Sequence, residues 1–411
     1  MSETMDHRKV RMTGRDPHEI GRAATPLELL FDLTFVVAYG VAANELAHAL
    51  TDKHIADGLL GFAFAGFAIT WAWINFSWFA SAYDTDDWIY RVTTMVQMIG
   101  VLILALGLSD MFAGLEKDKV DNDIMVLGYV VMRIPMVAQW LRMAKEDPDR
   151  RPVSMVYVST IVVSQIGWVL LLIPDLSVGA FFLIAAVPLL IELAGPIVAE
   201  RRYGGPPWHA HHIAERYGLL IIIALGEGMI GTMATLSAIV GPDGPGWSLD
   251  VAVVGVAGVA LTFGVWWTYF VVPCGDLLHA HRERSFGWGY GQIPLIVAVV
   301  AVGAGLHVAA YYLEHHSKLD TTGTVLCVTI PVAVYIAGLF LLYAALTRTF
   351  DPFHMILLAG SAALLVAPVL MAAGGVSLEW CLAVLALVPW VTIVGYETVG
   401  HRHNERVLAE L

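Results

Sequence analysis

The sequence predicts an all-α membrane protein, a polytopic transmembrane bundle of about twelve helices arranged as two six-helix repeats in parallel orientation. Three observations lead there. The 411-residue chain is 58% hydrophobic and only 14% charged, against roughly 25% charged residues in a soluble domain. Its apolar residues come in runs of about 20, the length that crosses a bilayer. Its Lys and Arg residues collect in alternate loops. A formal net charge of −13 with no basic stripe disfavours nucleic acid as a partner and leaves the lipid bilayer as the first one.

A polar tail of mixed charge (1–26) has no apolar leader pattern, so the first span itself is expected to direct insertion. The spans then fall at roughly 27–50, 55–79, 89–113, 122–143, 153–173, 178–200, 212–239, 249–273, 288–313, 322–347, 354–374 and 378–399. Short polar breaks at Pro174-Asp175 and Gly374-Gly375 separate spans five from six and eleven from twelve. With the N-terminus inside, 18 basic residues fall on that side. They are Arg8, Lys9, Arg11, Arg15, Arg22, Arg91, Arg142, Lys145, Arg150, Arg151, Arg201, Arg202, Arg216, Arg282, Arg284, Arg348, Arg402 and Arg406. Only 4 fall opposite, namely Lys53, Lys117, Lys119 and Lys318, and Arg133 lies within a span. This asymmetry predicts a multi-pass plasma-membrane protein with both termini cytoplasmic.

The halves 27–203 and 204–400 echo one another, ahead of a short cytoplasmic tail at 401–411. Span two ends TWAWINFSWFASAYDTDD and span eight ends VWWTYFVVPCGD, each a Trp pair, an aromatic run and an acid. Arg91 follows the first acid and Arg282 the second. Span one opens with Glu28 and reaches Gly40; span seven opens with Glu215 and reaches Gly226. Six spans per half gives both halves one orientation, a repeat about an axis along the membrane normal.

Ionisable groups inside such spans cost roughly 2.5–3.5 kcal/mol each and need a partner or a task. Span one carries Glu28, Asp32, Glu45 and His48. Glu28, Asp32 and Tyr39 share one face, while Glu45 and His48 point to the far side at about 100° per residue. Arg133 sits mid-span in VVMRIP. Glu192 lies between Pro188 and Pro196, which are expected to break span six, and Glu227 is flanked by Gly226 and Gly228. One Arg for two acids implies that one acid pairs with Arg133 and the other titrates. HAHHIAERYG brings His212, Glu215 and Arg216 to the start of span seven, with His212, Arg216 and Glu227 near one face. His307 lies inside span nine and reads as a hydrogen-bonded core residue. Asp84, Asp86 and Asp87 with Arg91 read either as a charge lock on the inner side or as plain surface charge.

A metal could be drawn from His211 or His212 with Glu215, but the spacing matches no zinc signature, and EHH at Glu314–His316 gives the same answer. Cys274, Cys327 and Cys381 match no metal or disulfide spacing. No metal and no cofactor is expected, and no nucleotide loop, nucleophile elbow or HExxH occurs.

Five stretches, TPLELLFDLTFVVA, WAWINFSWFASAYDTDD, VVMRIP, LLIELAGP and HHIAERYGLLIIIALGE, together resemble the bacterial low temperature requirement A family from about residue 25 to 310. The resemblance implies an integral membrane protein linked to growth in the cold, with no settled biochemical activity. It marks Glu28, Asp32, His48, Asp84, Asp86, Asp87, Arg91, Arg133, Glu192, His212, Glu215, Arg216 and Glu227. After DTDD this chain reads WIYR, so only Arg91 matches there, and the last three spans rest on hydropathy.

The duplicated spans and the surplus of buried acids point to a secondary transporter moving protons with a small solute, its site between the halves. On that reading Glu227 or Glu192 carries the proton, Arg133 switches it, and Glu28 with Asp32 form the cytoplasmic approach. Two alternatives remain. One is a non-transporting scaffold or sensor for cold adaptation, favoured by a solid core around every charge. The other is a membrane-embedded cofactor enzyme using His48, His212 and His307, favoured by colour or metal in the purified protein.

Overall fold

The computed structural model describes residues 9–240, 249–348 and 352–400, which hold helices and no strand. The expected tail at 401–411, with Arg402 and Arg406, and Arg8 lie outside the described residues. Among the described residues twelve helices are long and apolar enough to cross a membrane. They are α1 (Pro26–Thr51), α2 (Ile55–Tyr83), α3 (Trp88–Leu115), α4 (Asp123–Glu146), α5 (Pro148–Leu170) and α6 (Val178–Tyr203). Then come α7 (Ala210–Val240), α8 (Leu249–Ala280), α9 (Arg282–Leu313), α10 (Thr321–Thr347), α11 (Pro352–Ala373) and α12 (Leu378–Gly400). Helix starts follow from their caps. Thr25 and Glu28 form a reciprocal capping box on α1, with Glu28 Oε2 accepting from the Thr25 N–H at 2.8 Å and Thr25 Oγ1 from the Glu28 N–H at 3.3 Å. Asp87 caps α3, and Asp320 caps α10.

The chain forms two compact units. The first lies within Met1–Val41 and Ala68–Arg216, the second within Ala42–Phe67 and Tyr217–Leu411, so α1, α2 and α7 each contribute to both. In the first unit α1 and α7 run parallel in register, because Glu28 meets His212 and Asp32 meets Arg216 at the same separation of 184 residues. α1 and α2 are antiparallel, joined by Trp73 to Asp32 and by Tyr39 to Thr70. Buried Phe31, Phe35 and Tyr39 face inward on α1, while Leu30, Leu33 and Val37 stay exposed as lipid-facing residues would.

Contrary to the sequence expectation, α6 is not broken at Glu192. It continues from Val178 to Tyr203 through both Pro188 and Pro196. Each proline removes one helix hydrogen bond, a loss that neighbouring helices absorb in a membrane bundle. The neighbouring α5 also contacts α6 at this level, its Ser164 hydroxyl donating to the Pro188 carbonyl at 2.8 Å.

In the second unit α7 and α9 are also parallel. Tyr217 bonds the Gly289 carbonyl and Thr235 the Leu306 carbonyl, separations of 72 and 71 residues. Gly303 sits at their closest approach: a Cβ there would stand 2.6 Å from the carbonyl carbon and from the Cβ of Glu227.

Candidate functional site

The parallel register of α1 and α7 builds a two-rung ladder of charge in the first unit. Glu28 and Asp32 are one turn apart on α1, and His212 and Arg216 are one turn apart on α7. Arg216 bridges both acids, with Nη1 2.7 Å from Glu28 Oε1 and Nη2 2.5 Å from Asp32 Oδ1. His212 Nε2 lies 3.3 Å from Glu28 Oε2. From α2, the Trp73 indole donates to Asp32 Oδ1 at 2.7 Å, and its ring faces the Arg216 guanidinium at 5.6 Å. Glu28, His212 and Arg216 are completely shielded, and Asp32 is 1% exposed.

Two further groups extend the ladder. Arg22, which precedes α1, reaches in so that Nη2 lies 3.9 Å from Glu28 and 3.6 Å from Asp84. Arg22 and Asp84 are both buried. Burial, and then the nearby Glu28 charge, push the Asp84 carboxyl up to about 6 against the pull of Arg22 and Arg15. The cluster thus holds three carboxylates, two guanidiniums and one imidazole. It is electrically neutral only with one proton bound, on His212 or on a carboxyl. Asp32 Oδ2, His212 Nδ1, Arg216 Nε and the Tyr90 hydroxyl are buried there without a hydrogen-bond partner among the described residues.

His209 fixes the entry to α7. Its Nδ1 accepts from the His212 N–H at 3.2 Å, so Nε2 carries the proton and donates to the Glu19 carbonyl at 2.9 Å. Burial holds the His209 ring below the usual histidine range, consistent with that neutral form.

Arg133 and Glu192 form a separate, closed pair at 2.8 Å. Glu192 also accepts from the indoles of Trp71 and Trp168 and, at 3.1 Å, from the Ser164 hydroxyl that it shares with the Pro188 carbonyl. Tyr129 stacks on the guanidinium at 4.8 Å. Both carboxylate oxygens therefore have two donors, and one cation meets one anion.

The DTDD turn is not one lock around Arg91. Arg91 pairs with Asp86, through Nε and Nη2 at 2.8 Å each. Asp84 faces Arg22, and Asp87 takes Arg142 at 2.5 Å. The reason is local. Asp87 must face the start of α3 to accept the Tyr90 N–H, and Asp86 adopts φ +46°, which turns successive side chains to different sides. Burial pushes the Asp87 carboxyl up, but hydrogen bonds from Arg142, Tyr90 and Val10 hold it below the ordinary value.

The remaining candidates lie apart from the ladder. Glu215 is exposed and accepts from the Ala24 N–H at 3.3 Å. In the second unit, His48 stacks on Tyr311 at 5.1 Å and shares a 3.4 Å contact with its hydroxyl. His307 is half-buried one turn before Tyr311. Glu227 is 3% exposed, and none of the described residues forms an ion pair or hydrogen bond with it. Among the described residues no three His, Cys, Asp or Glu side chains group as a metal site would require. In the sequence Arg22 is only a tail charge, and nothing there marks Trp73, Trp71, Trp168 or Ser164 beyond their residue types. The Trp pair of span two was the one available signal.

Twelve membrane-length helices with ionisable clusters buried among them define a polytopic helical membrane protein. Comparison with known proteins narrows the class. The chain belongs to the bacterial low temperature requirement A protein (LtrA) family, whose model matches residues 23–389. It is similar to an uncharacterised protein of Rhizobium meliloti (strain 1021), 24% identical over 318 residues that cover 72% of this chain and 70% of that protein. No solved structure matches it.

Proposed function

We propose that the protein is a proton-coupled secondary transporter of the plasma membrane, with both termini cytoplasmic and a small solute as cargo. The observation that carries this reading is the charge count of the α1–α7 ladder. Three buried carboxylates meet two guanidiniums, so the cluster balances only by taking up one proton. A group of this kind gains and loses a proton as neighbouring charges shift, which is how ionisable chains in membrane transporters relay protons. Glu28 and Asp32 carry the proton with His212 as the exchanging base, Arg216 orders the two acids, and Asp84 with Arg22 meets the cytoplasmic side. Glu227, an acid with no described cation beside it, is the second proton-carrying group. Arg133 and Glu192 are assigned a packing role, because their charges cancel and both Glu192 oxygens have two donors.

The test is proton flux in liposomes that hold the purified chain and a pH-sensitive dye. An imposed pH gradient should collapse faster than in protein-free liposomes. Glu28→Gln and Asp32→Asn should each abolish the difference, whereas the paired change Arg133→Met/Glu192→Met should leave it. Wild-type protein that moves no protons under any gradient would remove the transport reading and leave a scaffold or sensor.

A further inference from the structure

Residues 9–24 contain no helix and cross the end of the first unit as a strap of coil and turns. Its hydrogen bonds are specific. The Val10 N–H donates to Asp87 at 3.0 Å, the Met12 N–H to Glu146 at 2.6 Å, the Gly14 N–H to Asp147 at 3.3 Å and the Arg15 N–H to the Ala82 carbonyl at 2.9 Å. Arg142 returns a bond to the Val10 carbonyl at 2.5 Å, and His209 reaches the Glu19 carbonyl. Yet only two strap side chains are buried, Met12 at 0% and Arg22 at 9% exposed. Gly21, at φ +76°, supplies the left-handed turn that drives Arg22 inward. Beneath the strap lie the buried Ala82 and, at its end, Asp84 and Glu28.

From this we propose that the strap is a gate: residues 9–24 close the route from solvent to the α1–α7 ladder, latched by Arg22 on Asp84 and Glu28 and by Met12. The proposal rests on the transport reading for its purpose but not for its test. A segment that buries only two side chains, Met12 and Arg22, and is otherwise held by hydrogen bonds belongs to the low-stability end of a structure, where local opening occurs without global unfolding. Opening withdraws the Arg22 cation and exposes Asp84 to water in one step. The strap therefore moves a charge and a barrier together.

Two experiments on the full chain, with Cys274, Cys327 and Cys381 replaced by Ala, test it. In the first, the Ala82→Cys variant is exposed to a charged, membrane-impermeant thiol reagent. Labelling should be slow, and about tenfold faster when Met12→Asp or Arg22→Gln loosens the strap. Equal rates in all three proteins would overturn the gate. In the second, Gly14→Cys and Pro207→Cys are paired, because a Cβ at residue 14 would lie 2.7 Å from the Pro207 ring, close enough for a disulfide after a small adjustment. Oxidation of that pair before the thiol reagent is added should slow labelling of the Ala82→Cys thiol further and stop proton flux, and reduction should restore both. Flux that persists undiminished through the disulfide would sink the gate while leaving transport standing. Absent flux with strap-dependent labelling would do the reverse.

Discussion

Replacing Arg216 by Met removes the one cation among the described residues that touches both Glu28 and Asp32. The guanidinium lies 2.7 and 2.5 Å from these acids, and all three side chains are at most 1% exposed. Removing one partner of a buried ion pair typically costs about 3–5 kcal/mol, because the remaining charge is left buried and uncompensated. Serving two acids places Arg216 towards the upper part of that range. A chain of 411 residues should shift its thermal midpoint by roughly 1–2 °C per kcal/mol, so Arg216→Met should lower it by about 4–10 °C. The assay is the fraction of detergent-purified protein that remains monodisperse after heating, with intrinsic tryptophan fluorescence as a second report. The informative comparison is the triple variant Glu28→Gln/Asp32→Asn/Arg216→Met, which removes all three charges. It should recover most of the loss, since a neutral replacement of a buried pair is often near neutral in stability. A single variant within about 1 kcal/mol of wild type, or a triple variant no more stable than the single, would refute the ladder as a mutually compensating unit.

Other consequences are equally direct. The Asp84 carboxyl is raised from 3.8 to about 6, so the folded protein binds this proton more tightly than the unfolded chain. Its contribution to stability is full below pH ~3.8 and is lost as pH rises through ~6, a change of about 3 kcal/mol. Groups facing it are Arg22, Arg15, Glu28, Tyr90 and Arg91. Asp84→Asn should remove this pH-dependent step, and thermal midpoints that run parallel to wild type from pH 4 to 8 would contradict it. Arg133→Leu should cost about 3–5 kcal/mol, measured in the same heating assay. Gly303→Val forces a side chain against the Glu227 backbone and should cost about 1–3 kcal/mol, seen as a lower midpoint. Thr25→Ala, which removes the α1 cap, should cost about 1 kcal/mol on the same scale.

Much of this architecture was legible because hydropathy acts along the chain. Each span is an apolar run that lipid demands, and the expected boundaries of α1, 27–50, differ from Pro26–Thr51 by one residue at each end. The separation of Glu28 and Asp32 from Glu45 and His48 was legible too, since helical rotation alone puts them on different faces. Continuity of α6 through Pro188 was not, because a proline interrupts some helices and not others, and neighbouring helices decide which. Asp86 and Asp87 misled for a similar reason. Composition shows three acids near one arginine, but only the turn's dihedrals decide which way each acid looks.

What no local pattern carries is the offset of 184 residues that sets α1 beside α7. Without it, Arg133, Glu192 and Glu227 form the natural centre, being the deepest charges in the sequence. With it, depth loses its authority as a guide. Arg133 and Glu192 are deep but cancel one another, and both Glu192 oxygens have their donors. The ladder sits nearer a helix end, yet it gathers Arg22 from before α1 and Asp84 from after α2, and its charges do not cancel. A buried pair that balances can serve packing indefinitely without exchanging anything with water. On the proposed reading a buried cluster short of one positive charge settles that deficit with a proton, and the strap that carries Arg22 would decide whether the proton has a route in.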